Sequence, residues 1–388
     1  MSISNNSYYD RELDLSRFKT SCFILGPRMT GKTSLLKNIR SQYNLNLLIP
    51  ENELKYGKDP KQFWQEIAVL KPGDTAIVDE IQRVPALLDY VQMGIEDKKI
   101  RFLLSGSSAR KLKRGHANLL GGRALDLKLH PLTRKELGSH FSIQVACSLG
   151  TLPKVVSLID EGNVDEAKLV LRSYLTTYIK EEIQAEALVR QLDAFQRFLD
   201  VAGQSHAQMI EFDNIARECQ VPSSTVKQYY QILEDTLMGF FLWPWNRSER
   251  KKARPKFYFF DCGVVRAIQE KVTSRPGSDE LGFLFESWFI NEMLSIRDYG
   301  FKEERFSLWR EGKWEVDLIV ERGKQMCLAV ECKSGKQLGN IHSIRAFKER
   351  FPKVRVLIAS LQDERKSKVE NGIEIWPYGD VLDFYRGL

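Results

Sequence analysis

The sequence predicts an α/β protein in three parts: a parallel-sheet domain over residues 1–145, a helical middle over 146–250 and a second α/β domain over 251–388. Three observations carry this division. Strand and helix patterns alternate from about residue 15 to 140, the arrangement that builds a parallel sheet covered by helices. Purely helical spacing of apolar residues replaces them between about 155 and 245. Paired strand patterns then return at Trp314–Val320 and Met326–Lys333, joined by the turn Glu321–Lys324.

Composition fits that plan. The 388 residues are 43% hydrophobic and 28% charged, the profile of a globular chain and not of a disordered one. A net charge of +7 permits nucleic-acid binding without demanding it. The six cysteines (Cys22, Cys147, Cys219, Cys262, Cys327 and Cys332) show no C-x-x-C or metal-finger spacing, so they are expected as reduced, packed thiols. Met1–Asn6 lacks the basic-then-apolar plan of a signal peptide, and no apolar stretch is long enough to cross a bilayer. The expected location is cytoplasmic, with no membrane partner.

The first element is Ser21–Leu25, a short apolar run fit for a buried strand. Residues Gly26, Gly31, Lys32 and Thr33 then fill the fixed places of G-x-x-x-x-G-K-[ST], and Thr33–Ile39 has helical spacing. In such a strand–loop–helix the loop amides and the positive end of the helix converge on one point. Glycine lets the backbone close round phosphates with no side chain in the way. The whole stretch Gly26, Pro27, Arg28, Met29, Thr30, Gly31, Lys32, Thr33 and Ser34 is therefore expected to bind ATP. Lys32 would reach the β- and γ-phosphates and the Thr33 hydroxyl would hold Mg²⁺. The alternative, a glycine turn before an ordinary helix, leaves the four fixed residues and both flanks to coincidence.

Next, Thr75–Glu80 is an apolar, β-branched run ending in two carboxylates. Carboxylates at the C-terminal edge of a buried parallel strand lie where open α/β sheets bind ligands. Asp79 is expected to hold Mg²⁺, directly or through water, and Glu80 to orient the attacking water. A third strand, Ile100–Leu104, leads into Ser105–Ser108, where Ser107 is a candidate for touching the γ-phosphate or the water; a plain Ser/Gly turn is the alternative. Arg123, after Gly121 and Gly122, is a candidate guanidinium finger, and action in trans would require a homo-oligomer. Its alternative is a surface salt bridge.

In the helical middle, Val164–Leu171 carries an apolar stripe that Tyr174, Leu175, Tyr178 and Ile179 continue. Phe212–Cys219, a turn at Gln220–Ser223 and Ser224–Leu233 follow as a helix-turn-helix rhythm. Thr225, Lys227 and Gln228 would face outward and meet DNA, or the unit packs as a lid or spacer. Arg247–Lys256 places six basic residues in ten, either a wing-like hairpin tip gripping phosphates or a solvated linker.

A second constellation closes the chain. Period-2 geometry puts Glu331 and Lys333 on one strand face and Cys332 on the other, with Asp317 across an antiparallel pair. Two carboxylates beside a lysine can hold Mg²⁺ next to a nucleophilic water, with Glu286 from the pattern Leu284–Ile290 as a further ligand. The alternative is an exposed salt bridge, which the apolar flanks oppose.

Gly26–Thr33 and Thr75–Pro85, together with Leu104–Ser108, Gly121–Arg123, Pro131–Glu136, Lys256–Gly263, Gly282–Glu286, Asp317 and Glu331–Lys333, resemble a family of prokaryotic AAA+-type ATPases. Its members join a P-loop domain to a winged-helix segment and a C-terminal domain similar to PD-(D/E)XK nucleases. The resemblance implies a P-loop NTPase sheet, a winged-helix middle and a restriction-endonuclease-like C-terminal α/β domain. It implies nucleotide and Mg²⁺ at Lys32 and Thr33, hydrolysis through Asp79 and Glu80, and a nuclease-type centre at Asp317, Glu331 and Lys333. The expected function is an ATPase coupled to a nucleic-acid-directed domain, with DNA as partner. Its rivals are an ATP-gated switch and a DNA-binding ATPase whose nuclease-like domain is inactive.

Overall fold

Five parallel strands organise the N-terminal part: β1 (Ser21–Leu25), β2 (Tyr43–Asn46), β3 (Thr75–Asp79), β4 (Arg101–Gly106) and β5 (Ala124–Lys128), in the order β2-β3-β4-β1-β5. The computed structural model describes residues 9–108, 120–178, 183, 192–245, 254–335, 341–369 and 372–388. The chain divides into two units, Met1–Leu137 with Asp235–Met238, and Gly138–Glu234 with Gly239–Leu388.

In the first unit the central strands β1, β3 and β4 are mostly apolar and buried, and every residue of β3 is buried. Phe23, Leu45, Ile67, Val78, Val91, Phe102 and Leu104 form part of one core. Each such side chain contributes about 1.5–3 kcal/mol by leaving water. Register fixes what this core presents at one edge. Leu25 pairs with Gly106 and Val78 with Leu104, so the segments after β1, β3 and β4 emerge side by side at their C-terminal ends.

The second unit begins with helices Ile143–Leu149, Pro153–Asp160, Val164–Tyr178 and Leu192–Gln204. Helices α2 (Phe212–Cys219) and α3 (Ser223–Asp235) follow, then a two-stranded antiparallel ribbon of β6 (Gly239–Leu242) and β7 (Lys256–Phe259). After α4 (Cys262–Ile268) and α5 (Ser278–Tyr299) comes a mixed sheet of β8 (Arg305–Glu311), β9 (Trp314–Arg322), β10 (Gln325–Lys333), β11 (Arg355–Ser360), β12 (Ser367–Lys368) and β13 (Ile373–Pro377), ordered β12-β13-β11-β10-β9-β8. Segments 146–250 and 251–388, expected as separate domains, meet inside this unit apart from Asp235–Met238. Buried groups tie them together. Asp261 caps α4 through the Val264 amide at 3.0 Å and accepts from the Thr151 amide at 2.8 Å, while Arg266 donates to the Ser148 carbonyl at 3.0 Å. Among the described residues no helix is long and apolar enough to cross a membrane.

Candidate functional site

The loop after β1 closes on itself. Gly26 donates to the Gly106 carbonyl at 3.3 Å, and Thr30 Oγ1 donates to the Pro27 carbonyl at 2.8 Å. A Cβ on Gly26 would lie 2.4 Å from the Leu129 carbonyl oxygen, so only glycine fits there. Gly31 takes φ 95° to turn the chain into α1 (Lys32–Lys37). At the start of α1 the buried Lys32 donates from Nζ to the Gly26 and Pro27 carbonyls at 2.9 and 3.1 Å and lies 3.7 Å from Glu80 Oε1. Thr33 Oγ1 donates to Asp79 Oδ2 at 2.7 Å. Ser34 is exposed beside them.

The acidic strand end is equally constrained. Asp79 Oδ1 accepts from the Ser105 hydroxyl, which also receives the Glu80 amide at 2.9 Å. Glu80 adopts φ 59° and ψ 47°, a left-handed conformation that costs a non-glycine residue about 1–3 kcal/mol and commonly marks a working site. Its Oε2 accepts from Gln82 Nε2 and, at 3.2 Å, from Ser107 Oγ; Gln82 Nε2 also donates to Ser107 Oγ at 3.0 Å. Gln82 is buried, and its Oε1 has no partner. Lys32, Thr33, Asp79, Glu80 and Ser107 thus come together, with Ser107 fastened to the carboxylate of Glu80. Arg123 does not join them: its guanidinium pairs with Glu96 and reaches the Gly121 carbonyl at 3.4 Å.

Three contributors to this site were not among the predicted site residues. Ser105 and Gln82 fix the two carboxylates. Arg11 braces the loop from outside, donating to the Thr30 and His130 carbonyls, both at 2.6 Å, and to Glu136 at 2.9 Å. Gln82 had a weak signal in its place two residues beyond Glu80; Arg11 had none.

The C-terminal constellation assembles differently from expectation. Leu318 pairs with Val330 in the antiparallel β9–β10 ladder, so one further step brings Asp317 towards Glu331. Lys333 Nζ donates to Glu331 Oε1 at 2.8 Å, and Asp317 Oδ2 accepts from the Cys332 amide at 2.9 Å. The focus of the carboxylates, however, is taken by Lys256. Its Nζ lies 2.7 Å from Glu286 Oε1, 2.6 Å from Glu315 Oε1 and 3.5 Å from Asp317 Oδ1. Lys256, at the end of the run expected to be solvated or to grip phosphates, is instead buried among three carboxylates. Residues 247–253 of that run lie outside the described residues. Among the described residues no group of three or more His, Cys, Asp or Glu is arranged to hold a metal ion. Asp317, Glu331 and Glu286, expected as Mg²⁺ ligands, stand in an ion-pair cluster with Lys256 and Lys333.

Its electrostatics follow from crowding. Glu286, Glu315, Asp317 and Glu331 face the two ammonium groups of Lys256 and Lys333. Burial, then the charge of Asp317, pushes Glu286 up to about 7 and Glu331 up to about 8, despite their lysine partners. For Lys256 burial works downward but is outweighed, chiefly by Glu286, so its ammonium is held well above the usual range.

Between these centres in sequence, α2 and α3 flank a turn in which Gln220 takes φ 56°, the expected helix-turn-helix rhythm. Lys227 and Gln228 are exposed and Thr225 half-buried, and Lys227 Nζ stands 5.4 Å from the centre of the Phe212 ring.

Residues 19–138 match the model of an AAA domain. Residues 143–275 match a domain of unknown function (DUF8612) and 281–381 another (DUF4143). The chain is 24% identical over 308 residues to the uncharacterized protein Rv2008c of Mycobacterium tuberculosis, covering 77% of this chain and 67% of that one. It is 22% identical over 394 residues to the uncharacterized protein MJ1544 of Methanocaldococcus jannaschii, covering 92% and 86%. Among solved structures, the ORC2 protein of Aeropyrum pernix superposes with a TM-score of 0.34 at 12% identity, over 66% of this chain and 90% of that one. The parallel sheet and glycine-framed loop of the first unit, with the AAA-domain match, are those of a P-loop ATPase domain.

Proposed function

We propose that this chain binds ATP with Mg²⁺ and hydrolyses it as an AAA+-type ATPase, and that its nucleotide state is coupled to a nuclease-like C-terminal domain directed at DNA. The observation that carries the reading is the 2.7 Å contact between Thr33 Oγ1 and Asp79 Oδ2, with Lys32 and Glu80 beside it. A hydroxyl and a carboxylate in contact are the oxygen donors Mg²⁺ takes in P-loop enzymes, and glycine at 26 lets the loop pack against the Leu129 carbonyl, where any Cβ would clash. Thr33 and Asp79 would hold the ion, which supplies charge neutralisation on the β- and γ-phosphates. Lys32 would exchange its loop carbonyls for phosphate oxygens. Glu80, aimed by Gln82 and Ser107, would accept a proton from the attacking water.

By the same reading, α2, α3 and the β6–β7 ribbon form a winged-helix segment that meets DNA through Lys227 and Gln228. Arg123 would serve a neighbouring copy in a cytoplasmic homo-oligomer. Asp317, Glu331 and Lys333 would form the PD-(D/E)XK centre, with Glu286 assisting.

The test is phosphate release from ATP with and without Mg²⁺ and DNA, in the native chain, Lys32→Ala and Glu80→Gln. Turnover that requires Mg²⁺ and vanishes in both variants is the expected result; turnover surviving Lys32→Ala refutes the reading. A second reading, a C-terminal domain that cuts nothing and serves as a switch, is favoured by the Lys256 ammonium among the carboxylates. Plasmid nicking lost in both Asp317→Ala and Lys333→Ala supports the nuclease, and no nicking with or without ATP supports the switch.

A further inference from the structure

We propose that Lys256 is a built-in cation that occupies the divalent-cation position of the C-terminal carboxylate cluster and must leave before a metal ion can bind there. The inference rests on the reading of Asp317 and Glu331 as cation ligands, and it assigns the regulation of that site. An ammonium group has three N–H donors, and three carboxylates from two separate elements stand round Lys256 Nζ at 2.6, 2.7 and 3.5 Å: Glu315 and Asp317 from β9 and Glu286 from α5. The side chain is buried, so this is an occupant of the cluster and not a surface lysine reaching for water. A hard dication needs the same oxygens, so ammonium and metal compete for them.

The occupant leaves the cluster under-neutralised. Four carboxylates face Lys256, Lys333 and, at 3.9 Å from Glu315, Arg310, and Glu331, itself buried, keeps Oε2 without any partner. That orphaned buried oxygen matches a cation ligand and not a closed structural salt bridge. The lysine can also leave without unravelling its strand. Lys256 is held by backbone pairing to Leu242 and Met209, so its four-carbon stem can swing while β7 stays in register.

The experiment uses the full chain and Mn²⁺ alone, with free ion counted by electron paramagnetic resonance and melting followed in parallel. The chains are the native protein, Lys256→Met and Glu315→Gln, each with and without Asp317→Asn. Lys256→Met should bind an Asp317-dependent Mn²⁺ at least about tenfold more tightly than the native chain, because a like-charged occupant at ion-pair distance is gone. Its melting temperature should rise with Mn²⁺ where the native one does not. Glu315 is partly exposed, so Glu315→Gln tests the same point without emptying a buried site. By loosening Lys256 it should tighten Mn²⁺ binding, although it removes a carboxylate. Equal Asp317-dependent binding in native and Lys256→Met chains, or weaker binding in Glu315→Gln, overturns the occupant role and leaves the ligand reading standing. Absence of Asp317-dependent Mn²⁺ in every folded variant overturns both. Should Lys256→Met fail to fold, the sign of the Glu315→Gln effect decides.

Discussion

Thr33 and Asp79 are 46 positions apart in the chain, and the hydroxyl of one donates to the carboxylate of the other at 2.7 Å. The sheet order explains the meeting. β1 and β3 both flank β4, and the three run parallel, so the loop after β1 and the tip of β3 open on one edge. If the pair holds one Mg²⁺, its two members act as a unit. Thr33→Val and Asp79→Asn should each lower kcat/KM for ATP by about a hundredfold, and the double variant should lose little more. Steady-state turnover against Mg²⁺ concentration measures this; fully multiplicative losses would show that the two residues serve separate ends.

Gln82 leads to a prediction about rate without binding. Its amide holds Glu80 and Ser107 together at the tip of the acidic strand. Gln82→Ala should therefore cut kcat about tenfold or more and leave the Kd for ATP nearly unchanged, since a general base must be aimed to work. Fluorescent-nucleotide binding beside single-turnover hydrolysis separates the effects. A loss of affinity equal to the loss of rate would assign Gln82 to the nucleotide pocket instead.

What the sequence disclosed, and what it hid, divides along chain distance. Gly26, Gly31, Lys32 and Thr33 are legible because a phosphate loop is built from one short segment, and Asp79 and Glu80 because an apolar run ends on them. The β9–β10 pair was legible from alternation, and both strands run further than read, to Arg322 and from Gln325. Lys256 was not, because its partners arrive from α5 and β9, 30 and more positions away, and its basic neighbours suggested solvent. Arg11 lies before the first strand and acts on backbone carbonyls, which leave no residue pattern to find.

Arg11 also sets a stability prediction. Its guanidinium and the Glu136 carboxylate are nearly inaccessible, with side-chain exposures of 4% and 0%. Arg11→Met leaves that carboxylate with the Glu12 and Thr133 amides at 2.7 and 2.9 Å but without a cation. Breaking such a pair from one side should cost about 3–5 kcal/mol, and adding Glu136→Gln should recover part of it. Urea melts of the two variants check this; equal stability of Arg11→Met and the native chain would show that the brace is dispensable.

Asp261 supplies the pH dependence. Burial pushes its carboxyl up from the ordinary 3.8 to about 6, against the amides of Thr151, Val264 and Gly263 that favour the charged form. The folded state therefore binds this proton more tightly than the unfolded chain. Its contribution to stability is complete below the unfolded value and is lost as pH rises through about 6. Over that window the native chain should lose of the order of 3 kcal/mol relative to Asp261→Asn, which cannot titrate. Denaturant midpoints of both chains between acid and neutral pH give the difference curve. A curve that is flat, or that rises with pH, would mean that the three amides dominate and the buried group is ionised throughout.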